Sequence, residues 1–410
     1  PSKPDGRMAT FFFSIFLTLL VGFPNGGGDC TLSAQDPSLY VSLLDGDIGT
    51  IGDETDNCYH VVTMSETDRM ALLDGFTISN GNADGGGLAG NGSGGGVLAQ
   101  NSTARICNTV LSENRALYGG ALFVHNLGPS LRGLRFEDNN ASESGGALYS
   151  LNASPTVSGT LFRNNAADLN GGSIYARQGA IRLLRSTISS SSAGNVAGGI
   201  CVLDGAPSLC HVTIANNEGY MHGGGAYFCD TTASIINSRF FGNRVYVQGG
   251  GAICNWRSDT FLANSILSGN SANKGGAIAN KDSNPTFAQI SLVANQADAE
   301  GGALYNDESN PRLHNSILWN NTAVSGTHEI YNLGSSSPSV SNCLIEGGYA
   351  GTSILDQDPL FTNARGLDGV AGTTDDDLRL REESPAIDAG RNETVPLDLC
   401  DLDGDGNLCE

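Results

Sequence analysis

Apolar residues along this chain fall in short alternating patches rather than in helical stripes. In Leu134-Arg135-Phe136 the two apolar side chains point one way and Arg135 the other, and Leu161-Phe162-Arg163 and Ser238-Arg239-Phe240 read alike. Between the patches lie Asn, Gly, Ser and Asp, the residues of turns. The pattern predicts many short strands joined by tight turns, with helix formers scarce.

The patches recur in a fixed frame. Counting Pro129 as zero, an apolar residue stands at +2 (Leu131), a bulky one at +7 (Phe136), Asn at +10 (Asn139), and Gly145-Gly146 about six residues later. The frame returns at Pro155, Pro207, Pro285 and Pro311, each a multiple of 26 residues from the last. Gly-Gly pairs start at 95, 119, 145, 171, 198, 224, 250, 275 and 301. One such unit cannot bury its own apolar face, so the units must stack. Three short strands per turn of ~22–27 residues is the pattern of a β-helix, with neighbouring coils about 4.8 Å apart. The expected fold is therefore all-β, a single right-handed parallel β-helix with ~26-residue coils. A propeller blade is longer, and a leucine-rich repeat needs a denser Leu frame.

Stacking turns repeated positions into ladders. The +10 ladder is Asn114, Asn139, Asn165, Asn217, Asn243, Asn270, Asn295 and Asn321, broken at Ser191. An amide both donates and accepts along a stack, and Asn tolerates a left-handed corner. Phe123, Tyr149, Tyr175, Phe228 and Tyr305 stand four residues after the first Gly of their pairs and are expected to form an aromatic column.

The F-x-x-N and G-G-A-[IL] phrases (Phe136 to Asn139 with Gly145 to Leu148; Phe240 to Asn243 with Gly250 to Ile253) resemble the repeats of the chlamydial polymorphic outer membrane proteins. They also resemble those of large secreted β-helix proteins of environmental bacteria, described as pectin-lyase-like. Asp358-Pro359-Leu360-Phe361, Asp376 to Leu380 and Ser384 to Gly390 look like the coil-ending segment of the second group, and Asp45 to Thr50 with Tyr59 to Val62 like its first coils. The resemblance implies the β-helix fold and display outside the cell, on the bacterial outer surface or free of it. It is weak for function. This chain departs from the polymorphic proteins in showing no barrel of alternating strands after the repeats.

Three regions follow: opening coils or a cap over 1–80, the regular array over 81–345, and an irregular acidic segment over 346–410. Within the first, residues 9–23 read either as a signal-like apolar core behind Lys3 and Arg7 or as the first buried strands. The chain starts at Pro1, which reads as a fragment or a processed form. Charge sharpens the class: 43 acidic against 21 basic residues give a net charge of −22. That disfavours nucleic acid and anionic membrane surfaces as partners, suits a monomeric extracellular protein, and permits divalent cations. The ten cysteines contain no C-x-x-C pair, so a zinc ribbon is disfavoured. Most read as buried thiols. Cys229 and Cys254 lie about one coil apart, and Cys400 and Cys409 flank an acidic loop that a disulfide would close in an oxidising compartment.

Candidate chemistry is sparse. Asp401, Asp403 and Asp405 with Gly406 and Asn407 match the start of a calcium loop, in which alternate carboxylates converge on one cation. The bidentate Glu of that pattern would fall at position 412, and a solvated acidic turn is the plainer alternative. Asp45 to Asn57 and Asp375 to Asp377 are further acidic stretches that read first as solvated loops. Trp256, Tyr220, Tyr246 and His222 break the repetition around the middle coils. Aromatics with His and Arg on one edge suit stacking on sugars, against the plainer reading of turn residues. No catalytic set is found: polygalacturonase and pectate lyase signatures, a nucleophile elbow and a P-loop are missing, and the six His are scattered. The leading expectation is a non-catalytic adhesin or binder of polysaccharide or of glycans on host or neighbouring cells. The alternative is a polysaccharide lyase or glycoside hydrolase.

Overall fold

The computed structural model describes residues 6–13, 17–23, 35–37, 39–326 and 329–392. The chain divides into two compact units, residues 1–205 and 206–410. Each is a parallel β-solenoid. Apart from one short 3-10 turn at Gly6–Met8, the described elements are strands.

Each coil contributes to three sheets. A front sheet is made by the strand after the glycines, such as Leu122–His125, Leu148–Leu151 and Ile174–Arg177 in the first unit and Ala226–Cys229, Ile253–Trp256, Ile278–Lys281 and Leu304–Asp307 in the second. A bent sheet takes two strands per coil that meet at a corner, as in Ser130–Arg132 and Arg135–Glu137 around Gly133, or Ser208–Cys210 and Thr213–Ala215 around His211. A short sheet follows the ladder Asn, as in Asn140–Ser144 and Ala166–Ala167, or Gln296–Glu300 and Thr322–Ala323. In the first unit Phe11–Phe13 pairs with Val62–Ser65, and Thr18–Leu20 with Leu72–Asp74, so these parts of segment 9–23 are strands of the solenoid. In the second, Phe361–Asn363 and Asp377–Leu380 form an antiparallel pair.

Alternation decides what each strand buries. Leu131, Phe136, Val157 and Phe162 are fully buried while Arg135 and Arg163 face water. Phe136 and Phe162 stack face to face with ring centroids 4.7 Å apart. Where the backbone turns after the short sheet, Gly119 and Gly145 take φ of +64° and +72°, conformations that cost a side chain energy.

The Asn ladder forms as the spacing predicts. Asn139 donates from its backbone N–H and from Nδ2 to Asn165 Oδ1, at 3.1 and 3.0 Å, and its second Nδ2 hydrogen reaches Leu111 O at 2.8 Å. Asn217, Asn243, Asn270 and Asn295 repeat the link to the next amide at 2.8–2.9 Å. The ladder Asn itself is not left-handed. That conformation falls on the residue before it, at Glu113, Asp138, Asn164, Asn216 and Asn320, which frees the Asn side chain to turn inward.

Two exceptions keep the ladder saturated. Where Ser191 replaces Asn, the Ala of the G-G-A phrase is also replaced, and Ser173 Oγ meets Ser191 Oγ at 2.8 Å. After Asn321 the next coil offers no Asn, and buried Glu329, again in the Ala slot, receives Asn321 Nδ2 at 2.8 Å and its backbone N–H at 3.3 Å.

The aromatic column needs one correction. The left-handed residue that opens each front strand is Gly94, Ala197 and Gly223 where three small residues run together, one earlier than a count from the Gly-Gly pair at 95, 198 or 224. Tyr227 therefore holds the outward place opposite Cys254, while Phe228 points into the core.

Candidate functional site

The site grows out of that outward column of the second unit. In the first unit Phe123, Tyr149 and Tyr175 fill successive coils, with ring centroids 5.3 and 4.7 Å apart. In the second the register runs Tyr227, Cys254, Ala279, Tyr305, Tyr331. Two consecutive small residues leave a notch about 10 Å tall, two coil spacings. Cys254, Ala279 and Tyr305 form its buried floor, with Tyr227 and Tyr331 packed against them.

The notch encloses a cavity of about 310 Å³. Its wall is the next outward column, Trp256, Lys281, Asp307 and Leu333, together with Lys274 from the short-sheet strand Ser271–Lys274 and His222 and Gln248 from the turns beside that sheet. His222 meets the Trp256 ring edge-on at 5.6 Å, and Lys281 Nζ lies over the same ring at 5.6 Å. Lys281 also pairs with Asp307 Oδ2 at 2.7 Å. Lys274 approaches Glu300 at 3.6 Å and the Tyr305 hydroxyl at 3.4 Å. The indole is thus fixed from two sides, and cations, a carboxylate and a phenol surround an apolar floor.

Protonation states limit what this arrangement does chemically. Burial lowers the His222 imidazole to about 4, so it is neutral at pH 7. Burial raises the Cys254 thiol to about 12. Their 3.8 Å approach is a contact of two neutral groups, unlike an activated thiolate–imidazolium pair. The hydrogen bond that Lys281 donates to Asp307 raises the lysine above its usual range; burial pulls Lys274 down, but Tyr305 and Glu300 outweigh it and leave that lysine raised as well. Both are held as ammonium ions, whereas a lysine base for β-elimination needs a depressed value.

Of the residues singled out by sequence, Trp256 and His222 come together here. Tyr220 and Tyr246 do not line the cavity. Both are about half exposed, and Tyr246 is held by Glu218 Oε2 at 2.8 Å and by the Arg244 guanidinium over its ring at 4.6 Å. Lys274, Lys281, Tyr305 and Asp307 escaped sequence reading because they are scattered along the chain. Writing the coils beneath one another and reading down the column through Trp256 would have found Lys281 and Asp307.

Other candidates resolve differently. Asp401, Asp403, Asp405 and Asn407 lie outside the described residues, as do Cys400 and Cys409. Among the described residues no group of three or more His, Cys, Asp or Glu is arranged to hold a metal. In the loop 45–57 the carboxylates cap turns: Asp47 receives Gly52 N–H, and Asp56 receives Thr50 N–H, both at 2.8 Å. Cys58, Cys254 and Cys343 are buried free thiols, Cys107 and Cys229 are half-buried free thiols, Cys201 is buried, and Cys210 is disulfide-bonded. Cys229 sits opposite Trp256 rather than opposite Cys254.

No protein-family model matches this chain, and no curated protein matches it.

Proposed function

We propose that this is a non-catalytic binding protein of the cell exterior, acting in adhesion through carbohydrate held in the notch of the second unit. One observation carries the reading: Trp256, fixed between His222 and Lys281, borders a cavity whose floor is apolar and whose rim offers Lys281, Asp307, Lys274 and the Tyr305 hydroxyl. A sugar presents an apolar ring face and a polar rim of hydroxyls, and this arrangement complements both. Polysaccharides and glycans of host or neighbouring cells are the partner class, and a monomer suffices, because every wall of the notch comes from one chain. The resemblance to displayed β-helix repeats supports location outside the cell or on a bacterial outer surface. The Asp401 to Asn407 turn is proposed to take calcium. Titration calorimetry that records no heat with calcium, alongside an unshifted melting temperature, removes that part.

The test is retention on a panel of neutral and acidic polysaccharides, with and without calcium, followed together with release of reducing ends and unsaturated uronates. Retention without cleavage, weakened about tenfold or more in Trp256→Ala, about 1.4 kcal/mol, is the expected result. Equal retention of the variant refutes the site. Cleavage would establish the competing reading, a polysaccharide lyase or glycoside hydrolase, in which Asp307 and Glu300 beside Tyr305 become the carboxylates to substitute.

A further inference from the structure

The outer face of the bent sheet in the first unit gathers positive charge. Four successive coils place Arg105, then Arg132 and Arg135, then Arg163, then Arg182 at outward strand positions, and Arg185 stands at the corner of the last. Strand alternation exposes them, because Ile106, Leu131, Phe136, Phe162 and Leu183 beside them point into the core. The whole chain has 21 basic residues against 43 acidic, so its net charge of −22 conceals this concentration. Among the described strands of the second unit, the same sheet carries Arg239 and Arg312 alone.

Carboxylates do not neutralise the face. Glu137 Oε1 is shared by Arg135 at 2.8 Å and Arg163 at 2.9 Å. Asp74, in one column with Cys107 and Arg132, is buried and receives Asn108 Nδ2 at 3.0 Å. Glu113 and Asp138 stand past the strands, at the turns into the Asn ladder. The guanidiniums of Arg105, Arg132, Arg182 and Arg185 make no hydrogen bond or ion pair. Arg105 and Arg182 share a column three coil steps apart, about 14 Å. The corner between the strands is Gly133 and Gly159 in the two middle coils, and a side chain at Gly159 would meet nothing within 4 Å. The guanidiniums therefore flank bare backbone open to water.

Free guanidiniums recognise oxyanions through paired N–H donors. The rest of the face decides which polymer carries them. Among its described strands there is no exposed aromatic ring on which a base would stack, since Phe136 and Phe162 are buried. Duplex DNA presents a charge every ~1.7 Å, far denser than one or two guanidiniums per coil step. An acidic polysaccharide spaces its charges by whole sugar rings. Its ring faces find Val110, Leu161 and Leu184, half-buried apolar residues among the arginines. At about 0.15 M salt the Debye length is about 8 Å, so acidic residues elsewhere on the chain are largely screened.

We propose that this face is a second carbohydrate site, selective for acidic polysaccharide and independent of the notch around Trp256. Arg105, Arg132, Arg182 and Arg185 hold the sulfates or carboxylates of the polymer. Arg135 and Arg163 keep Glu137 from repelling it.

Binding of the full chain to dextran sulfate, polygalacturonate and uncharged dextran tests this, with the two acidic polymers separating sulfate from carboxylate. One or both acidic polymers should bind at about 0.15 M salt, more weakly as salt rises, and dextran should not bind at this face. Arg105→Gln/Arg182→Gln should weaken that binding about tenfold or more, with an unchanged melting temperature because both side chains lie in water. The charge-matched pair Arg239→Gln/Arg312→Gln should keep it, and so should Trp256→Ala. Retention of neutral polysaccharide by the notch should survive Arg105→Gln/Arg182→Gln, so each site is read on a polymer the other does not take. Failure to bind either acidic polymer overturns the proposal. Equal losses in the two arginine pairs, or none in Arg105→Gln/Arg182→Gln, overturn it too. Binding to single-stranded DNA or to anionic phospholipid vesicles as tight as to the polysaccharide overturns the choice of partner.

Discussion

Glu329 makes stability depend on pH in a calculable way. Its carboxyl terminates the Asn ladder of the second unit, buried beneath Asn321. Burial raises its pKa from 4.5 to about 8, with the Asn321 hydrogen bonds pulling it down and Glu346 pushing it further up. An acid whose folded value is raised stabilises the fold fully below its unfolded value, and that contribution fades as pH rises to the folded one. Over the interval from 4.5 to about 8 the loss is about 1.4 kcal/mol per pH unit, or about 5 kcal/mol in all. Between pH 5 and 8 the wild type should lose about 3.5 kcal/mol relative to Glu329→Gln, whose neutral amide accepts from Asn321 without titrating. Comparing the two proteins cancels the histidines. The only two tryptophans, Trp256 and Trp319, belong to the second unit, so fluorescence-monitored urea unfolding reports this unit alone. Parallel stability-versus-pH curves for wild type and variant, or a wild type that gains on Glu329→Gln as pH rises, would refute the assignment.

Removing one rung elsewhere should cost about 3 kcal/mol: Asn243→Ala strands both donors of Asn217 and the carbonyl of Ile214, and the urea midpoint of the second unit reads this out. Phe162→Asp buries an unpaired charge against Phe136 and should abolish folding of the first unit, and a soluble, fully folded variant by circular dichroism would contradict the register. Because the His222 pKa is depressed to about 4, retention on a neutral glycan should be flat from pH 8 to 5.5. It should fall only as pH drops toward 4, where imidazolium forms beside Lys281; a midpoint near 6.5 would place His222 in water.

The coil frame was legible because a ladder demands the same residue at each step, so the Asn row emerges from spacing alone. The errors came where the frame is locally degenerate. Three small residues at 94–96, 197–199 and 223–225 hide which one turns left-handed, and that single-residue ambiguity moved Phe228 into a column that belongs to Tyr227. The same period-two geometry sends one of the pair inward and the other out. Trp256 and His222 stood out as departures from repetition. The notch itself is made by what is small, Cys254 and Ala279, and an absence of bulk becomes visible only once the columns are aligned. Glu329 carries a signal too: it stands where its neighbours have Ala, in an array that otherwise reads as regular up to that point.

The carboxyl at the end of the amide row also bears on how such a chain avoids fibres. Among the described residues, the front strand Ile330–Leu333 and the short strand Thr322–Ala323 are the last of their sheets. An end strand is where another repeat, from this chain or a second copy, would add itself. What it would not find is an amide to continue the row. Above about pH 8 it would have to seal an ionised carboxyl, with Glu346 close behind it, inside a dry interface. The antiparallel pair Phe361–Asn363 and Asp377–Leu380 further breaks the parallel pattern that templated growth requires. Below that pH the carboxyl is protonated and the electrostatic part of the barrier is gone, so self-association grows easier as the pH falls, in the same direction in which the individual fold becomes more secure.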